Sequence, residues 1–345
     1  MNPKRSFASD NYAGIHPEVM AAMERVNVGH QVAYGDDETT AELDARIKDF
    51  FGPKSEIYPV FNGTGANVVA LQSMSPAWGA VVCAASAHVN VDEGGAPEKV
   101  AGLKLWQIPT ADGKLTPELI DTQAWGFGDV HRAQPMSLIV TQSTELGTLY
   151  SVDELAAVVD RAKSHGMRVL LDGARIANAA VALGVSFRDF TTDLGIDAVS
   201  FGGTKNGAMT AESVVVLNPE IATAVPYLRK SDMQLASKMR YMSAQLLALL
   251  TDDLWARNAT NANAMAKRLA DAVAGIDGVQ ITRPQQANAV FATMPADITE
   301  RLQERFGFYT WDQASGEVRW MCSWDTTEAD VDAFVAAIAA EFAGS

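Results

Sequence analysis

Six short runs in the first 220 residues are dominated by apolar side chains: "IYPVF" (57–61), "AVVCA" (80–84), "SLIVT" (137–141), "RVLLD" (168–172), "DAVSF" (197–201) and "SVVVL" (213–217). Runs of this length, rich in β-branched residues, predict strands covered on both faces, and the amphipathic stretches between them predict helices. "SVDELAAVVDRAKSHG" carries a capping box in Ser151 and Glu154, an apolar stripe of Leu155, Val158, Val159 and Ala162, and Gly166 just past its end. Thr116 before Pro117 marks another helix start. Even alternation of strand and helix predicts an α/β domain around a mostly parallel sheet.

From about residue 226 the rhythm changes. A long helical pattern (roughly 230–275) precedes two more apolar runs, "NAVFATM" (288–294) and "VRWMCS" (318–323), and a final helix in "EADVDAFVAAIAAEFA". The expected division is an N-terminal segment (1–25), a large ligand-binding domain (26–235), then a linking helix and a smaller C-terminal α+β domain (236–345). At 48% hydrophobic residues the chain has ample material for both cores.

The net charge of −15 excludes nucleic acid and anionic membrane as natural partners, and an anionic ligand needs a local cationic site against that field. Cys83 and Cys322 both fall in strand-like runs and make no disulfide framework. The first twenty residues show no apolar signal core, and no run approaches the length of a membrane span. The expectation is a cytoplasmic protein.

In open α/β sheets ligands gather beyond the carboxyl ends of the strands. "RVLLD" ends on Asp172, with Arg175 following; a carboxylate there needs a cation or several donors, or serves as a helix N-cap. "DAVSF" leads into "GGTKNG", where glycines flank Lys205; partial desolvation would lower its pKa and favour a neutral amine, the alternative being an exposed loop lysine. "IYPVF" leads into "NGTGANVVALQSM", where Gly63, Thr64 and Gly65 open a helix as a phosphate cradle or an ordinary cap. "AVVCA" leads into "ASAHVNVDEGGAPE", with His88 and Asp92 four apart; the histidine could stack on an aromatic ligand, act as a base, or only satisfy backbone groups.

Taken together the four strand ends require one ligand with a phosphate, a carbonyl, an aromatic face and a ring atom that wants a carboxylate, and pyridoxal 5′-phosphate has all four. Lys205 would form its Schiff base, Asp172 would keep the ring nitrogen protonated, the 63–65 turn would hold the phosphate and His88 would cover the ring. Lys205 follows Asp172 by 33 positions.

"SFASDNYAGIHPEV", "GHQVAYGDDETT", "FNGTGAN", "AHVNVDEGGAPEK", "LDGARIANAA", "FGGTKNG" and "QLASKMR", in that order, resemble the low-specificity L-threonine aldolases over nearly the whole chain, and "RWMCSWDT" is similar to the branch that carries "GGTKNG". The resemblance implies a fold type I, PLP-dependent transferase-like large domain and a homotetramer of dimers with active sites at the dimer interface. It implies cleavage of L-threonine, L-allo-threonine and phenylserine-type amino acids to glycine and an aldehyde. It also implies that Ser9, Arg175 and Arg319 bind the substrate carboxylate, that His88, His131 and Asp92 handle the β-hydroxyl, and that Tyr34, Lys230 and Arg240 approach the phosphate or substrate. A β-eliminating lyase or transaminase of the same fold, and a non-catalytic oligomeric α/β protein, are the rival readings.

Overall fold

The computed structural model describes residues 5–343; residues 1–4 of the expected N-terminal segment and residues 344–345 lie outside the described residues. All six apolar runs are strands. With one more they form a seven-stranded sheet: β1 (Glu56–Val60), β2 (Gly79–Ala84), β3 (Lys104–Ile108), β4 (Gln134–Thr141), β5 (Arg168–Gly173), β6 (Ala198–Gly202) and β7 (Glu212–Val216), in the order β1-β7-β6-β5-β4-β2-β3. The pairs from β3 across to β6 are parallel, whereas β7 runs antiparallel to both its neighbours. Residues 203–211, which join β6 to β7, are too few for a parallel crossover, so the chain returns as a hairpin. Lys205 sits in that connection, at the carboxyl edge where β1, β2, β4 and β5 also end.

The strand that the apolar-run criterion misses is β3. It lies at the sheet edge and alternates, with Lys104 and Gln107 exposed and Leu105 and Ile108 buried. The predicted caps form: Ser151 Oγ accepts from Glu154 N at 3.1 Å while Glu154 Oε2 accepts from Ser151 N at 2.8 Å, and the Thr116 side chain caps Pro117–Asp121.

The expected long helical segment is three helices, Val225–Ser231, Met239–Leu249 and Leu254–Val273. Met233 (φ 63°) interrupts the first break, and Asp252 and Asp253 (φ 49° and 54°) turn the chain at the second, in the left-handed region that aspartate tolerates better than most residues. Apolar residues of Met239–Leu249 join the large core, as does Leu254, while Met265 and its successors join the small one. The change of core thus falls within Leu254–Val273.

The small domain is an antiparallel sheet, β8 (Gln280–Ile281), β9 (Ala289–Thr293), β10 (Tyr309–Asp312) and β11 (Glu317–Met321), in the order β10-β11-β9-β8 and backed by the helix Glu328–Ala343. The start of the described chain docks on this domain. Phe7 N donates to Gly307 O at 2.6 Å and Met321 N to Phe7 O at 2.7 Å, with the Phe7 ring stacked on Phe334 at 4.6 Å. This contact carries Ser9–Asn11 to the sheet edge. Among the described residues no helix is long and apolar enough to cross a membrane, and both cysteines are buried and unpaired.

Candidate active site

A cavity of about 360 Å³ opens at the carboxyl edge of the large sheet, lined by Gly63, Thr64, His88, Asp172, Arg175 and Lys205 among others. Four separate strand–helix junctions supply these residues, so the expected grouping is physically assembled. The turn that carries Lys205 is a single 3₁₀ turn, Thr204–Asn206. A Cβ at Gly203 would stand 2.7 Å from Ala211 O, so only glycine lets the chain fold back this tightly.

Lys205 lines the cavity with protein packed around it and has no ion pair among the described residues. Burial first, and the nearby Arg175 charge second, hold its amine below the usual lysine range. Asp172 is buried; its Oδ2 accepts from Asn67 Nδ2 at 2.9 Å and its Oδ1 from Ala174 N at 3.0 Å. A carboxylate has lone pairs beyond those two bonds, which leaves Asp172 able to accept a further donor from the cavity.

His88 is oriented by a group that the sequence reading passed over. The helix beginning at His88 ends at Val91, so Asp92 is exposed past its end and Glu93 turns back to put Oε1 2.8 Å from His88 Nδ1. Asp92 is the C-cap of that helix, its N–H bonded to His88 O at 2.9 Å, and its side chain does not pair with the histidine. Glu93 also accepts from Asn67 Nδ2 at 2.8 Å, so Asn67 ties the Asp172 carboxylate to the histidine's partner. The hydrogen bond to Glu93 outweighs burial and raises the His88 pKa. An ionised carboxylate only accepts, so Nδ1 carries the ring proton and Nε2 is left as an acceptor.

Asp10 was likewise missed, although it lies inside the quoted "SFASDNYAGIHPEV". Arg175 grips it with two bonds, Nε to Oδ2 at 2.7 Å and Nη2 to Oδ1 at 2.9 Å. Burial disfavours the Asp10 charge, but Arg175 more than offsets it and keeps the carboxyl below the ordinary range. Most of the Arg175 fork is therefore already committed. Arg319 is the reverse case. It is 9% exposed, its Nη2 donates to Ala8 O at 3.3 Å, and its Nε has no partner among the described residues. Burial, then repulsion from Arg175, pushes its pKa down to about 10. Of the two arginines, Arg319 has the donors to spare for an incoming carboxylate. Ser9, on the same arm as Ala8, caps a 3₁₀ turn by accepting from Asn11 N at 3.2 Å.

Glu145 and Glu212, also unforeseen, line the cavity; burial first, with the Asp172 charge adding to it, raises both pKa values. Of the glycine turn, Gly63 and Thr64 face the cavity with first-turn N–H groups that have no acceptor within their own helix. Gly65 does not line it: its N–H goes to Asn62 Oδ1 at 2.7 Å, and a Cβ there would come 2.3 Å from Gln234. Its role is close packing.

Ser9, Asp92 and Arg319 are not among the residues that line this cavity, and Tyr34, Lys230, Arg240 and His131 lie outside it as well. Lys230 sits over the Tyr34 ring at 5.1 Å. Arg240 lines a separate cavity of about 440 Å³ with residues 29–33 and 237–239. His131 is on an exposed loop anchored by Arg132, whose guanidinium lies 3.7 Å from the Trp125 ring centre and 4.3 Å from that of Trp106.

The donor set fits pyridoxal phosphate. There is a lysine with depressed pKa and, among the described residues, no ion pair for its aldehyde, a buried carboxylate with spare acceptor capacity for its ring nitrogen, helix-start N–H groups without an acceptor in their own helix for its phosphate, and a cavity in the size range of cofactor sites. Fold and site together define a fold type I, pyridoxal-phosphate-dependent enzyme.

Residues 6–297 match the family model for beta-eliminating lyases. The chain is 43% identical to a low specificity L-threonine aldolase of Pseudomonas sp. (strain NCIMB 10558), covering 97% of each chain, and 42% identical to that of Pseudomonas aeruginosa, covering 93% of each. The solved structure of Leishmania major threonine aldolase superposes with a TM-score of 0.92 at 27% identity, covering 97% of this chain and 98% of that one. This chain belongs to the beta-eliminating lyase family and, within it, to the low-specificity L-threonine aldolases. It is a carbon–carbon lyase.

Proposed function

We propose that the enzyme cleaves L-threonine, L-allo-threonine and phenylserine-type amino acids between Cα and Cβ, giving glycine and an aldehyde. The observation that carries this reading is the His88–Glu93 pair, which presents an imidazole acceptor in the same cavity as Lys205. Retro-aldol cleavage requires a base for the β-hydroxyl proton, whereas β-elimination requires an acid for a departing hydroxide. The names of the Pseudomonas relatives support the same substrate class.

Pyridoxal phosphate, when bound, supplies the electron sink for the pair released from the Cα–Cβ bond. Asp172 would hold the ring nitrogen in its protonated form, and Lys205 would supply the amine that anchors the cofactor. Arg319 clamps the substrate carboxylate, and a forked clamp restricts rotation where a point charge would not. With the carboxylate fixed, Arg319 would set which bond at Cα is presented for cleavage. His88 takes the hydroxyl proton at Nε2, directly or through a held water. Tyr34, Lys230 and Arg240 serve the site of a neighbouring copy in a homotetramer, a reading supported by their absence from the lining of this chain's own cavity and by exposed Val32, Tyr34, Tyr227 and Met233.

Incubation with L-threonine separates the readings. Equimolar glycine and acetaldehyde are expected; a 2-oxo acid with ammonia would assign the chain to elimination. The base assignment has its own check in the pH profile. His88 must be neutral to accept, and Glu93 raises its pKa, so kcat/KM should climb through a limb above 6.5, the unperturbed histidine value. Glu93→Gln removes the raising hydrogen bond and should move that limb to lower pH. A limb that stays in place would remove His88 from the role.

A further inference from the structure

β10 and β11 pair in register at Tyr309–Arg319 and Thr310–Val318, then slip, so that Asp312 meets Glu317 and Trp311 has no partner across the ladder. Bulges next to functional sites re-aim a side chain, and this one brings the Trp311 ring to 4.2 Å from the Arg319 guanidinium carbon. Arg319 projects from the face of β11 opposite Val318 and Trp320, which are buried in the small-domain core. On that outer face Trp311 packs on a satellite cluster of Ala289, Phe291 and Met321. The Phe291 ring meets it edge-on at 5.8 Å and 80°. A Cβ at Gly147, whose φ is +76°, would lie 2.9 Å from that phenyl ring, so the loop after β4 buttresses the stack from behind.

The hydrogen bonds of Arg319 do not account for its placement. One bond to a backbone carbonyl at 3.3 Å and an unpartnered Nε leave the guanidinium free to rotate, and no carboxylate pairs with it among the described residues. A buried cation in that state needs some other restraint, and an indole face in contact supplies one without consuming any of the N–H donors.

We infer that Trp311 is a positioning residue for the substrate carboxylate: the bulge seats its indole under Arg319, fixing the plane of the fork while leaving its N–H edge free for the substrate. The inference rests on the reading of Arg319 as the carboxylate clamp. It implies that the amino acid's carboxylate, and not its side chain, senses position 311.

The test is a double-mutant cycle on the cofactor-loaded enzyme, read as the glycine dissociation constant from the change in the visible spectrum. Trp311→Ala should weaken glycine binding by about thirtyfold, the size of a desolvated cation–π contact, with the cofactor absorbance of the free enzyme unchanged. Trp311→Phe, which keeps a ring on the same cluster and guards against misfolding, should weaken it by less than about threefold. Arg319→Gln should weaken glycine strongly, and adding Trp311→Ala to it should cost nothing more. If Arg319→Gln leaves glycine binding intact, the clamp lies elsewhere and the parent reading fails. If Arg319→Gln weakens glycine while Trp311→Ala does not, or if the two losses simply add, Trp311 does not act through Arg319 and this inference is overturned.

Discussion

Lys205→Ala is expected to lower kcat by on the order of 10³-fold or more, the scale seen when a covalent catalytic group is removed, while leaving the cofactor-free protein folded. The two parts of that outcome have one cause. The Lys205 amine is surrounded by protein, lacks an ion pair among the described residues and is repelled by Arg175, and burial and that repulsion depress its pKa. A lysine whose folded pKa is lowered weakens the fold wherever it would be charged in the unfolded chain, so removing the amine relieves that penalty at neutral pH and offsets the packing lost with its stem. Thermal unfolding of the cofactor-free variant should therefore occur at the wild-type temperature or above it. Its visible absorbance with added pyridoxal phosphate should disappear. A variant that keeps that band, or one that unfolds many degrees lower, would show that Lys205 is a structural loop residue.

Asp172→Asn should produce the second-largest effect. A protonated ring nitrogen opposite a buried carboxylate loses a charge-assisted hydrogen bond when the carboxylate becomes an amide, and breaking a buried charged pair costs about 3–5 kcal/mol. Cofactor affinity should fall by on the order of 10²-fold or more, and activity with it. The fold pays a smaller penalty. Asparagine offers one carbonyl oxygen where Asp172 accepts from both Asn67 and Ala174, and Asn67 cannot flip without losing its bond to Glu93. One donor is left unpaired, at about 1–3 kcal/mol. Equilibrium dialysis of the cofactor alongside a melting curve separates the two costs. Insolubility with cofactor affinity retained would make Asp172 a helix-start residue and nothing more.

The parts of the site legible in the sequence were those announced by a change of character along the chain. Lys205 and Asp172 stand out because each follows an apolar run that can only be a central strand, where a charged residue needs a reason. The covered strands were readable for the same cause, whereas β3 was not, since an edge strand with Lys104 and Gln107 turned outward breaks the run. Partners set by tertiary structure were harder to see. Asp10 meets Arg175 only because Phe7 docks on the small domain, 300 residues away in sequence at Gly307. Glu93 replaces Asp92 because a helix stops after one turn. Asn67 could have been noticed as a polar residue inside the apolar helix Gly63–Met74. Trp311 could not, because its orientation depends on a register slip that no local pattern signals.

The proposed chemistry depends on a covalent bond between the Lys205 amine and the cofactor's aldehyde. Borohydride reduction of the cofactor-loaded enzyme, followed by proteolysis and mass mapping, examines that bond directly. One modified lysine, in the peptide that contains residues 201–209, is the expected outcome. Modification at Lys230 or any other lysine instead, or an enzyme that turns over threonine yet yields no reduced adduct, would contradict it.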